Sequence, residues 1–403
     1  MAEYNPLHRG HLYHIARARK NKNDALVAVI SSYFTQRGEP ALLSKWDRAD
    51  MALQAGINLV LELPAFFSCH NGGVFGGAAV DILAASGVVG FLSFGMEHPE
   101  FDVNSILSII VHEPVFFKDK LKKHLNSGFS YVKARAAALE DIQRGWGSFV
   151  SSPNNSLALS YMERVVRKGY SIRWRPVRRA GASFHDEDVA SPLPSATALR
   201  KAVCEGRWKE AEEGLPPFSS SILERCMNRG AAVLSRERLW RLARFLLLRT
   251  SPEQLADYSG MTEGIENRFK KYASSSSSWE EFVSRCVTGR YPRGRIQRQL
   301  IHFLLGIKQE ENLMLQKSGP AYIRVLGADA RGAEILRRMR SVSSLPVLGK
   351  APSGTGGAGE VLARIERTAS DLWEEIAERY SPGEEKKRHT LITECFQGED
   401  TSP

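Results

Sequence analysis

Residues 3–14, EYNPLHRGHLYH, bring His8, Gly10 and His11 together within four positions, and His14 follows. Two histidines three positions apart at the start of a helix share one face of it, and the glycine allows close backbone approach to a ligand. The free N–H groups of a first helical turn add partial positive charge. We therefore predict that this segment holds the phosphates of a nucleoside triphosphate while its α-phosphorus is attacked. A surface helix cap with incidental histidines is the alternative.

The elements around this segment indicate how it would be positioned. Short apolar, β-branched runs typical of buried parallel strands occupy residues 25–32, 58–64, 87–95 and 170–177. Helical patterns separate the first of these runs, at about residues 11–21, 44–56 and 74–86. This alternation predicts an α/β layer fold with a Rossmann-like parallel sheet. Ligands of such sheets bind beyond the carboxyl ends of the strands, where residues 33–40 and Gly95 would face the histidine segment.

One strand of such a sheet should lead directly into the phosphate-binding turn. Here only two residues precede Glu3, so we expect the first strand to be missing. Our hypothesis is that the natural start lies upstream or that the chain is truncated. Mass spectrometry of the native protein's amino terminus tests this, and a natural start at Met1 would contradict it.

From about residue 200 onward the sequence pattern becomes mainly helical. Candidate helices cover residues 206–213, 220–229, 235–249, 262–273, 293–307 and 361–379. The serine run at 274–278 and the glycine-rich stretch at 351–359 are predicted to be loops. The glycine-rich stretch is not predicted to bind phosphate, because it lacks the Lys-Ser/Thr ending of a phosphate-binding loop. We expect an α/β domain at 1–200, a mainly α-helical domain at 201–380 and a poorly ordered tail at 381–403.

Composition excludes several classes of protein. Apolar residues make up 43% of the 403 residues, which is enough for a real core. No apolar run reaches the roughly 18–20 residues that cross a bilayer, and no basic-then-apolar signal peptide begins the chain. The five cysteines are scattered and form no Cys-x-x-Cys pair, so we predict neither a disulfide framework nor a zinc site. A reducing cytoplasm is the expected location.

Basic residues cluster in a chain whose net charge is +10. Residues 285–345 contain 12 basic and 4 acidic residues, and residues 164–179 contain seven basic residues and no acidic one. Such clusters are typical of nucleic-acid binding, and Tyr291 and Tyr322 could stack on bases. A solvated basic face is the alternative. The residues that we expect to contact RNA are Arg290, Arg293, Arg295, Arg298 and Arg324.

Polar residues in two further segments could join the histidines. Arg37 and Lys45 follow a predicted strand and could neutralise phosphate or carboxylate, and a capped turn with a surface salt bridge is equally compatible. Asn154 precedes an apolar helical segment and is expected to cap that helix or to bind a nucleotide.

Arginines and hydroxyls near residue 200 suit a triphosphate. Arg178 and Arg179 end the fourth predicted strand, where an arginine can reach phosphate. Ser195, Thr197 and Arg200 open a predicted helix, and two hydroxyls and an arginine at a helix start suit a polyphosphate tail. An ordinary N-cap is the alternative for Ser195.

Together these features resemble the HIGH-type nucleotidyltransferase superfamily, with His-x-Gly-His early, Ser-x-Thr-x-x-Arg late and a parallel α/β sheet between them. The resemblance narrows to the bacterial tRNA(Met) cytidine acetate ligase family and spans almost the whole chain. The segments in that family's order and spacing are EYNPLHRGHLYH, QRGEPALLSKWDRADMAL, INLVLELP, FGGAAVDIL, SFGMEH, SPNNSLALSY, RRAGASFHD, SATALR, GRYPRGRIQRQLIHFLLGI and AYIRVLGADARG. Leu7 stands where phenylalanine is usual, and Asn58, Gly76 and Gly77 replace commoner choices.

The resemblance implies a specific two-step reaction. This family activates acetate with ATP to give acetyl-adenylate and pyrophosphate, then passes the acetyl group to N4 of the wobble cytidine of elongator tRNA(Met). Residues 1–200 would then be the nucleotidyltransferase domain and residues 201–380 the tRNA-binding domain. ATP, accompanied by Mg²⁺, acetate and elongator tRNA(Met) are the implied substrates, and no protein ligand set for a metal is visible in the sequence.

Carried over position by position, the resemblance assigns His8 and His11 to catalysis. The residues that it implies for ATP binding are Ala2, Glu3, Tyr4, Asn5, Pro6, Leu7, His8, Gly10, His11, His14, Gly95, Asn154, Arg178, Arg179, Ser195, Thr197 and Arg200. Two other functions stay open: an RNA-binding protein with a non-catalytic nucleotide pocket, and an adenylyltransferase acting on a small phosphorylated substrate. Acetate-dependent exchange between ATP and pyrophosphate tests the first, and labelled acetate appearing in tRNA tests the second.

Overall fold

The computed structural model describes residues 1–179, 194–353, 356–377 and 383–393. Its strands are β1 (Val27–Ser31), β2 (Leu59–Leu63), β3 (Phe91–Met96), β4 (Arg173–Arg178), β5 (Ile323–Ala328), β6 (Val347–Leu348) and β7 (Leu391–Ile392). The first four coincide, to within a few residues, with the strands predicted from the sequence, which are thereby confirmed.

Helices surround these strands along the whole chain. Those of the first half are α1 (Arg9–Ala18), α2 (Lys45–Gln54), α3 (Ala65–Ser68), α4 (Gly72–Ala85), α5 (Val103–His112), α6 (Val115–Asn126), α7 (Tyr131–Glu140), α8 (Trp146–Ser151), α9 (Pro153–Lys168) and α10 (Ala196–Cys204). Those of the second half are α11 (Trp208–Glu213), α12 (Pro217–Asn228), α13 (Glu237–Arg249), α14 (Pro252–Ala256), α15 (Ile265–Ala273), α16 (Trp279–Cys286), α17 (Arg293–Leu304), α18 (Gln309–Ser318), α19 (Ala330–Val342), α20 (Gly357–Ile376) and α21 (Glu384–Lys387). The predicted helices and the serine loop are confirmed, but α20 begins inside the stretch at 351–359 that was predicted to be a loop.

Two sheets form the centre of the fold. The larger has the order β1-β2-β5-β6, and β7 also pairs with β5. Strands β1 and β2 are parallel, with Val27 opposite Leu59, whereas β5 is antiparallel to β2, with Ala328 opposite Leu59. The smaller sheet joins β3 and β4 in parallel, with Gly95 opposite Val177. An α/β architecture is confirmed, but the larger sheet is mixed rather than purely parallel.

Strand β5 is the most central of the elements that sequence analysis missed. It lies in the half of the chain that was predicted to be mainly helical, yet it pairs with β2 in the larger sheet. All six of its residues are buried. A short apolar run that is buried on both faces lacks the alternation of a half-exposed strand, so periodicity cannot distinguish it from a buried helix.

The facing edges of the two sheets border a cavity of about 730 Å³, lined by residues 27–28 of β1 and 91–93 of β3. Ala2 enters this region through an isolated parallel bridge with Ile30. Its N–H donates to the Val29 carbonyl at 3.0 Å, and its carbonyl accepts from the Ser31 N–H at 3.3 Å. The sequence analysis expected the strand before the histidine segment to be missing. Among the described residues, only Ala2 pairs with β1 at this position, through a single bridge.

Close helix packing holds β3 and its neighbours in place. Asn71 caps α4 by accepting from the N–H groups of Gly73 and Val74, and α4 packs against α9, which also contacts β3. Gly76 makes this approach possible, because a Cβ there would lie 2.3 Å from the Ser160 hydroxyl. None of the described helices combines the length and apolar character that a membrane span needs.

A buried cluster of charges links the two halves of the chain. Lys45 at the start of α2 contacts the carboxylates of Glu62 on β2, Glu366 on α20 and Glu385 on α21. Each of these side chains is at most 2% exposed. We call these four residues the lysine cluster. Because it requires Glu385, it also ties down the segment that follows residue 383.

The prediction that residues 381–403 form a poorly ordered tail is therefore wrong for residues 383–393, which the structure describes. Residues 383–393 contain α21 and β7, and β7 pairs with β5, with Leu391 opposite Gly327. The charged composition of this segment suggested disorder, but one of its carboxylates is buried against Lys45. Residues 394–403 lie outside the described residues.

Candidate active site

The histidine segment forms the start of α1 as predicted. His8 is the N-cap, and its Nδ1 accepts a hydrogen bond from the Gly10 N–H at 3.1 Å. The Nδ1 of His11 accepts in turn from the His8 N–H at 3.2 Å. The two histidine side chains thereby accept hydrogen bonds from backbone N–H groups that have no partner within the helix, which is the arrangement of a capping box. The two imidazole rings lie 3.8 Å apart between centroids.

This capping arrangement fixes what each ring can offer a ligand. A neutral imidazole whose Nδ1 accepts must hold its proton on Nε2. His8 and His11 are neutral at pH 7, because burial lowers the pKa of His8 to about 3, helped by Arg179 and Arg200, and lowers that of His11 well below its usual value. Both rings therefore present an Nε2–H donor beyond the helix start, which suits phosphate oxygens.

Gly10 has a different role from the one predicted. A Cβ at this position would lie 2.9 Å from the Cε1 atom of His8. The glycine therefore makes room for the histidine ring itself, as well as lining the pocket. His14 lies one turn further along, where its Nε2 pairs with the Ser93 hydroxyl at 3.0 Å and burial lowers its pKa to about 4.

Residues 2–7 divide between lining the pocket and supporting it. Ala2, Glu3, Tyr4 and Asn5 line the pocket, whereas Pro6 and Leu7 are buried and lie outside its lining. The Glu3 carboxylate accepts from the Gln36 N–H at 2.8 Å, and the Asn5 side chain accepts from the Leu42 N–H at 2.7 Å. These two bonds fasten the segment to the loop at 33–40 and to Leu42 just beyond it. Pro6 and Leu7 are buried and support the site through packing.

The opposite wall comes from the ends of β3 and β4. Gly95 lets the Arg179 side chain pass over the strand, because a Cβ there would lie 3.3 Å from the Arg179 Cγ. Arg179 donates to the Asn154 side-chain oxygen at 2.9 Å, and the Asn154 amide donates to Glu97 at 2.6 Å. Asn154 thus positions the arginine instead of capping α9, whose N-cap is Ser152.

Arg178 and Arg179 differ in their surroundings. Arg178 lines the pocket edge, but its side chain is 60% exposed and pairs with Glu100 at 2.6 Å. Arg179 is more buried, and burial lowers its pKa from the usual arginine value. Of these two arginines, Arg179 is the one whose positive charge helps to lower the pKa of His8. The rest of the motif RRAGASFHD, from residue 180, lies outside the described residues.

The third wall is the start of α10. Ser195 is its N-cap and accepts from the Ala198 N–H at 3.0 Å, so the ordinary capping role is present. Thr197 accepts from Arg200 at 3.3 Å, and Arg200 also donates to the Asn5 carbonyl at 2.8 Å. Arg200 thereby holds the helix start against the histidine segment, with its charge close to His8.

The predicted residues converge on one pocket with two lobes. The first lobe, about 190 Å³, is lined by Gly95, Val177 and Arg178. The second lobe, about 200 Å³, is lined by residues 35–37 and by Ser195, Thr197 and Arg200. The residues lining both lobes are Met1, Ala2, His8, His11, Asn154, Leu157, Tyr161 and Arg179. The paired donors of His8 and His11 therefore lie at the junction of the lobes.

The loop at 33–40 contributes residues that the sequence left uncertain. Arg37 lines the second lobe, as one of the two alternatives allowed. Lys45 does not line it, because this side chain is fully buried in the lysine cluster. Thr35 lines the same lobe, and its buried hydroxyl has no hydrogen-bond partner within the described ranges. An unpaired buried hydroxyl facing a pocket suggests a ligand.

Sequence reasoning missed one residue that supports the pocket, Glu97, and one that lines it, Tyr161. Glu97 holds Asn154 and the N–H of Asn155, and Tyr161 lines both lobes. The signal for Glu97 was its position directly after β3, at the ligand-binding edge of the sheet. Tyr161 offered no signal, because an aromatic residue at helical spacing on α9 predicts core packing.

The predicted RNA contacts do not form one surface. Arg324 on β5 is fully buried, and Tyr322 and Tyr291 are 1% and 8% exposed, so none of them can meet RNA here and those predictions are wrong. Arg298 is largely buried and donates to the Gln36 carbonyl at 3.2 Å, so it supports the pocket loop.

The remaining three arginines lie near the surface at the amino end of α17. Arg290 and Arg295 pair with Glu263 at 3.0 and 3.3 Å, and Arg293 pairs with Glu280. They are accessible, but part of their charge is already compensated. Their contact with RNA stays a prediction.

The described part of the pocket contains no cluster of metal-ligating side chains. Within the described ranges, no three side chains of His, Cys, Asp or Glu gather closely enough to hold a metal ion. The carboxylates nearest the histidines are engaged, Glu3 by Gln36 and Glu97 by Asn154. The Mg²⁺ that the family resemblance implies therefore stays a prediction.

Comparison with known proteins agrees with this geometry. The family model described as HIGH Nucleotidyl Transferase matches residues 1–388. A tRNA(Met) cytidine acetate ligase from Acetivibrio thermocellus is 33% identical over 386 residues, covering 93% of each chain. One from Leuconostoc mesenteroides is 32% identical over 400 residues, covering 98% of each.

Solved structures resemble the whole chain as well. A crystal structure of Thermotoga maritima TmcAL in the apo form has a TM-score of 0.91, with 29% identity over 97% of this chain and 98% of that one. A structure of the same protein bound with alpha-thio ATP has a TM-score of 0.89 at 28% identity over the same shares of the two chains. The chain therefore belongs to the HIGH nucleotidyltransferase family and, within it, to the tRNA(Met) cytidine acetate ligases.

Proposed function

We propose that this protein activates acetate with ATP and transfers the acetyl group to N4 of the wobble cytidine of elongator tRNA(Met). The observation that supports the first step most directly is the pair of Nε2–H donors of His8 and His11 at the junction of two lobes, with Arg179 and Arg200 beside them. The relatives' shared name, tRNA(Met) cytidine acetate ligase, supports the choice of substrates.

The first step is a displacement at the α-phosphorus of ATP. An acetate oxygen attacks that phosphorus, the bond to the bridging oxygen of the β-phosphate breaks, and pyrophosphate leaves. The protein contributes positioning and charge stabilisation rather than covalent chemistry. We assign the nucleoside to the first lobe, the α-phosphate to His8 and His11, and acetate and the outgoing pyrophosphate to the second lobe.

The neutral state of the histidines suits this step. Because burial lowers the pKa of both histidines well below 7, they donate hydrogen bonds without any proton having to be taken up first. Arg179 and Arg200 supply the positive charge instead. As negative charge grows on the phosphate oxygens, donors already fixed by the capping arrangement need no reorganisation.

The second step is acyl transfer to a base. N4 of cytidine attacks the acetyl carbon of acetyl-adenylate, the carbon–oxygen bond to AMP breaks, and one N4 proton is released. The base must leave its stack to reach the mixed anhydride. Mg²⁺ bound to the ATP phosphates would add Lewis-acid stabilisation to the first step.

The test measures both steps in one preparation. We expect acetate to stimulate exchange of labelled pyrophosphate into ATP, and labelled acetate to enter elongator tRNA(Met) but not a transcript whose wobble cytidine is replaced by uridine. Absence of exchange would support the non-catalytic RNA-binding alternative. Exchange that needs a phosphorylated small molecule rather than acetate would support the adenylyltransferase alternative.

A further inference from the structure

The second lobe of the nucleotide pocket opens into another cavity. This cavity, of about 340 Å³, shares Arg37, Glu39, Thr197 and Arg200 with the second lobe. Its far walls come from residues 233–237, just before and at the start of α13, and from the start of α16. The cavity and the second lobe therefore adjoin each other at these four residues.

The cavity continues into an open groove along α13. The groove, of about 590 Å³, shares Glu237 with the cavity and runs between α13 and the serine loop at 274–277. We call the cavity and the groove together the α13 track. Neighbouring cavities that share lining residues thus extend from the surface of the helical half to the nucleotide pocket.

Positive charge dominates the α13 track. Among the residues that the structure describes, six cationic residues line it and three carboxylates do, those of Glu39, Glu237 and Glu280. The cationic residues are Arg37, Arg200, Lys201, Arg236, Arg241 and Arg244. Arg236 is shared between Glu39 at 3.1 Å and Glu280 at 2.9 Å, so two of the three carboxylates are already engaged by one arginine. The excess of positive charge suits a polyanion.

An exposed aromatic ring stands among these charges. Phe245 on α13 lines the groove with 64% of its surface exposed, and Leu248, one turn further along, is 41% exposed. An isolated phenylalanine left this open gains nothing for folding, but it offers a platform on which a base can stack. A cationic groove with an aromatic platform is typical of single-stranded nucleic-acid binding.

Two buried donors on the walls have no partner. The Ser276 hydroxyl in the groove and the Trp279 indole nitrogen in the cavity are both buried and lack a hydrogen-bond acceptor among the residues that the structure describes. Buried donors in native proteins are almost always paired. Both lie along the α13 track, where a ligand or water could satisfy them.

The serine loop is held in shape before any ligand binds. Arg244 donates to the Ala273 carbonyl at 3.1 Å, and Arg285 donates to the Ser275 carbonyl at 2.8 Å. The N–H of Ser277 is bonded to Glu281 at 2.7 Å. A preformed wall loses little entropy on binding, which favours its use as a recognition surface.

We propose that the α13 track binds the single-stranded RNA loop that flanks the target cytidine. Arg241 and its cationic neighbours contact backbone phosphates, Phe245 stacks on an unpaired base, and the cytidine passes between Arg37 and Arg200 into the second lobe. This inference rests on the proposed function for the identity of the RNA. It moves the main RNA contact from the amino end of α17, which the charge distribution alone favoured, to α13.

The test compares two double variants that each remove one aromatic ring and one cation. The first is Arg241→Ala with Phe245→Ala in the α13 track. The matched control is Phe116→Ala with Lys118→Ala, both exposed on α6, which lines no part of the track. The charge-reversal variant Arg241→Glu, at an exposed position, serves if the first double variant unfolds at a lower temperature than the wild type.

Binding of the tRNA(Met) anticodon stem-loop is the primary measurement. We expect the track variant to bind about tenfold or more weakly, since one stacked base alone accounts for such a factor. The slope of log affinity against log salt should fall by about 0.7, the value for one lost phosphate contact on a single strand. The α6 control should match the wild type, and acetate-dependent exchange should persist in both variants because none of the four residues lines the nucleotide pocket.

The outcomes separate this inference from the proposed function. Wild-type RNA binding by the track variant, or equal weakening in the control, overturns the α13 track whatever the catalytic result. Selective loss of binding in the track variant supports it, even if the wild type fails to acetylate tRNA, in which case the proposed function falls alone. Weakened binding of an unrelated acidic peptide, with RNA binding unchanged, would assign the track to a protein partner and overturn the proposal.

Discussion

Two regions of this molecule bury ionisable side chains, and they do so in opposite ways. In the nucleotide pocket, His8 and His11 use one nitrogen each to cap α1 and leave the other nitrogen facing the pocket. In the lysine cluster, Lys45 meets three carboxylates, and those carboxylates bond further groups such as the Ser32 hydroxyl and the Ala65 N–H. One set faces a pocket, whereas the other is buried among side chains of opposite charge.

The difference shows what burial alone can and cannot reveal. Both regions contain groups whose pKa values are shifted strongly, so a shifted pKa does not by itself identify the active site. What distinguishes the pocket is that its donors converge on a cavity, whose lining includes Thr35 and Arg200. The lysine cluster instead joins β2, α20 and α21 and thus holds the two halves of the chain together.

The largest effect should come from removing a pocket donor. We expect His11→Ala to lower acetate-dependent exchange by about 10²–10³-fold, the usual loss when one donor to a developing oxyanion is deleted. The lost cap should lower the free energy of unfolding by only about 1 kcal/mol. His112→Ala, at the exposed carboxyl end of α5, is the matched control. Normal exchange in His11→Ala would refute the assignment of this histidine.

The converse should hold for the lysine cluster. Lys45→Met leaves buried carboxylates without their cation, so we expect the free energy of unfolding to fall by about 3–5 kcal/mol. The folded fraction should retain acetate-dependent exchange, because Lys45 does not line the pocket. Lys118→Met on the exposed face of α6 should change stability by less than about 0.5 kcal/mol. A stable Lys45→Met protein without exchange would erase the contrast between the two regions.

The two regions should make protein stability depend on pH in opposite directions: His8 should make the protein less stable in acid, and Glu62 should make it less stable as pH rises. Burial lowers the pKa of His8 to about 3, so the unfolded state binds more protons and stability falls as pH drops below about 6.5. Burial and Glu366 raise the pKa of Glu62 well above 4.5, so the folded state binds the extra proton and stability falls as pH rises above about 4.5.

Urea unfolding between pH 5 and 8 measures both effects. His8→Asn should remove about 2 kcal/mol of the acid-side loss between pH 7 and 5, since each pH unit corresponds to about 1.4 kcal/mol. Glu62→Gln should flatten the alkaline side instead. Saturating ATP should weaken the contribution of His8 and leave that of Glu62 unchanged. Identical profiles for the two variants would contradict the assigned directions.

Sequence reasoning reached the pocket because its key contacts are local. His8 and His11 bond within three positions of each other, and a helix start can be read from so short a segment. The lysine cluster was invisible because Glu62 and Glu366 lie 17 and 321 positions from Lys45. Arg324 shows the same limit, since counting charge along the chain cannot tell a buried arginine on β5 from one that faces solvent.

The loop at 33–40 contacts both the lysine cluster and the nucleotide pocket. A substitution in this loop should have the smallest effect on activity of those considered. At its first residue, the Tyr33 hydroxyl donates to Glu385 at 3.2 Å, while residues 35–37 line the second lobe. Gly38 lies against α17 with φ of +78°, and a Cβ there would come within 2.4 Å of the Arg298 backbone nitrogen.

Replacing this glycine should therefore disturb the pocket through its support. We expect Gly38→Ala to raise the KM for ATP severalfold with little change in kcat, and to cost about 1–3 kcal/mol more stability than backbone strain alone, because the neighbouring helix must shift. Gly56→Ala isolates the strain, since Gly56 has φ of +91° and open space around it. Equal stability losses in the two variants, with an unchanged KM for ATP, would mean that α17 does not hold the loop in place.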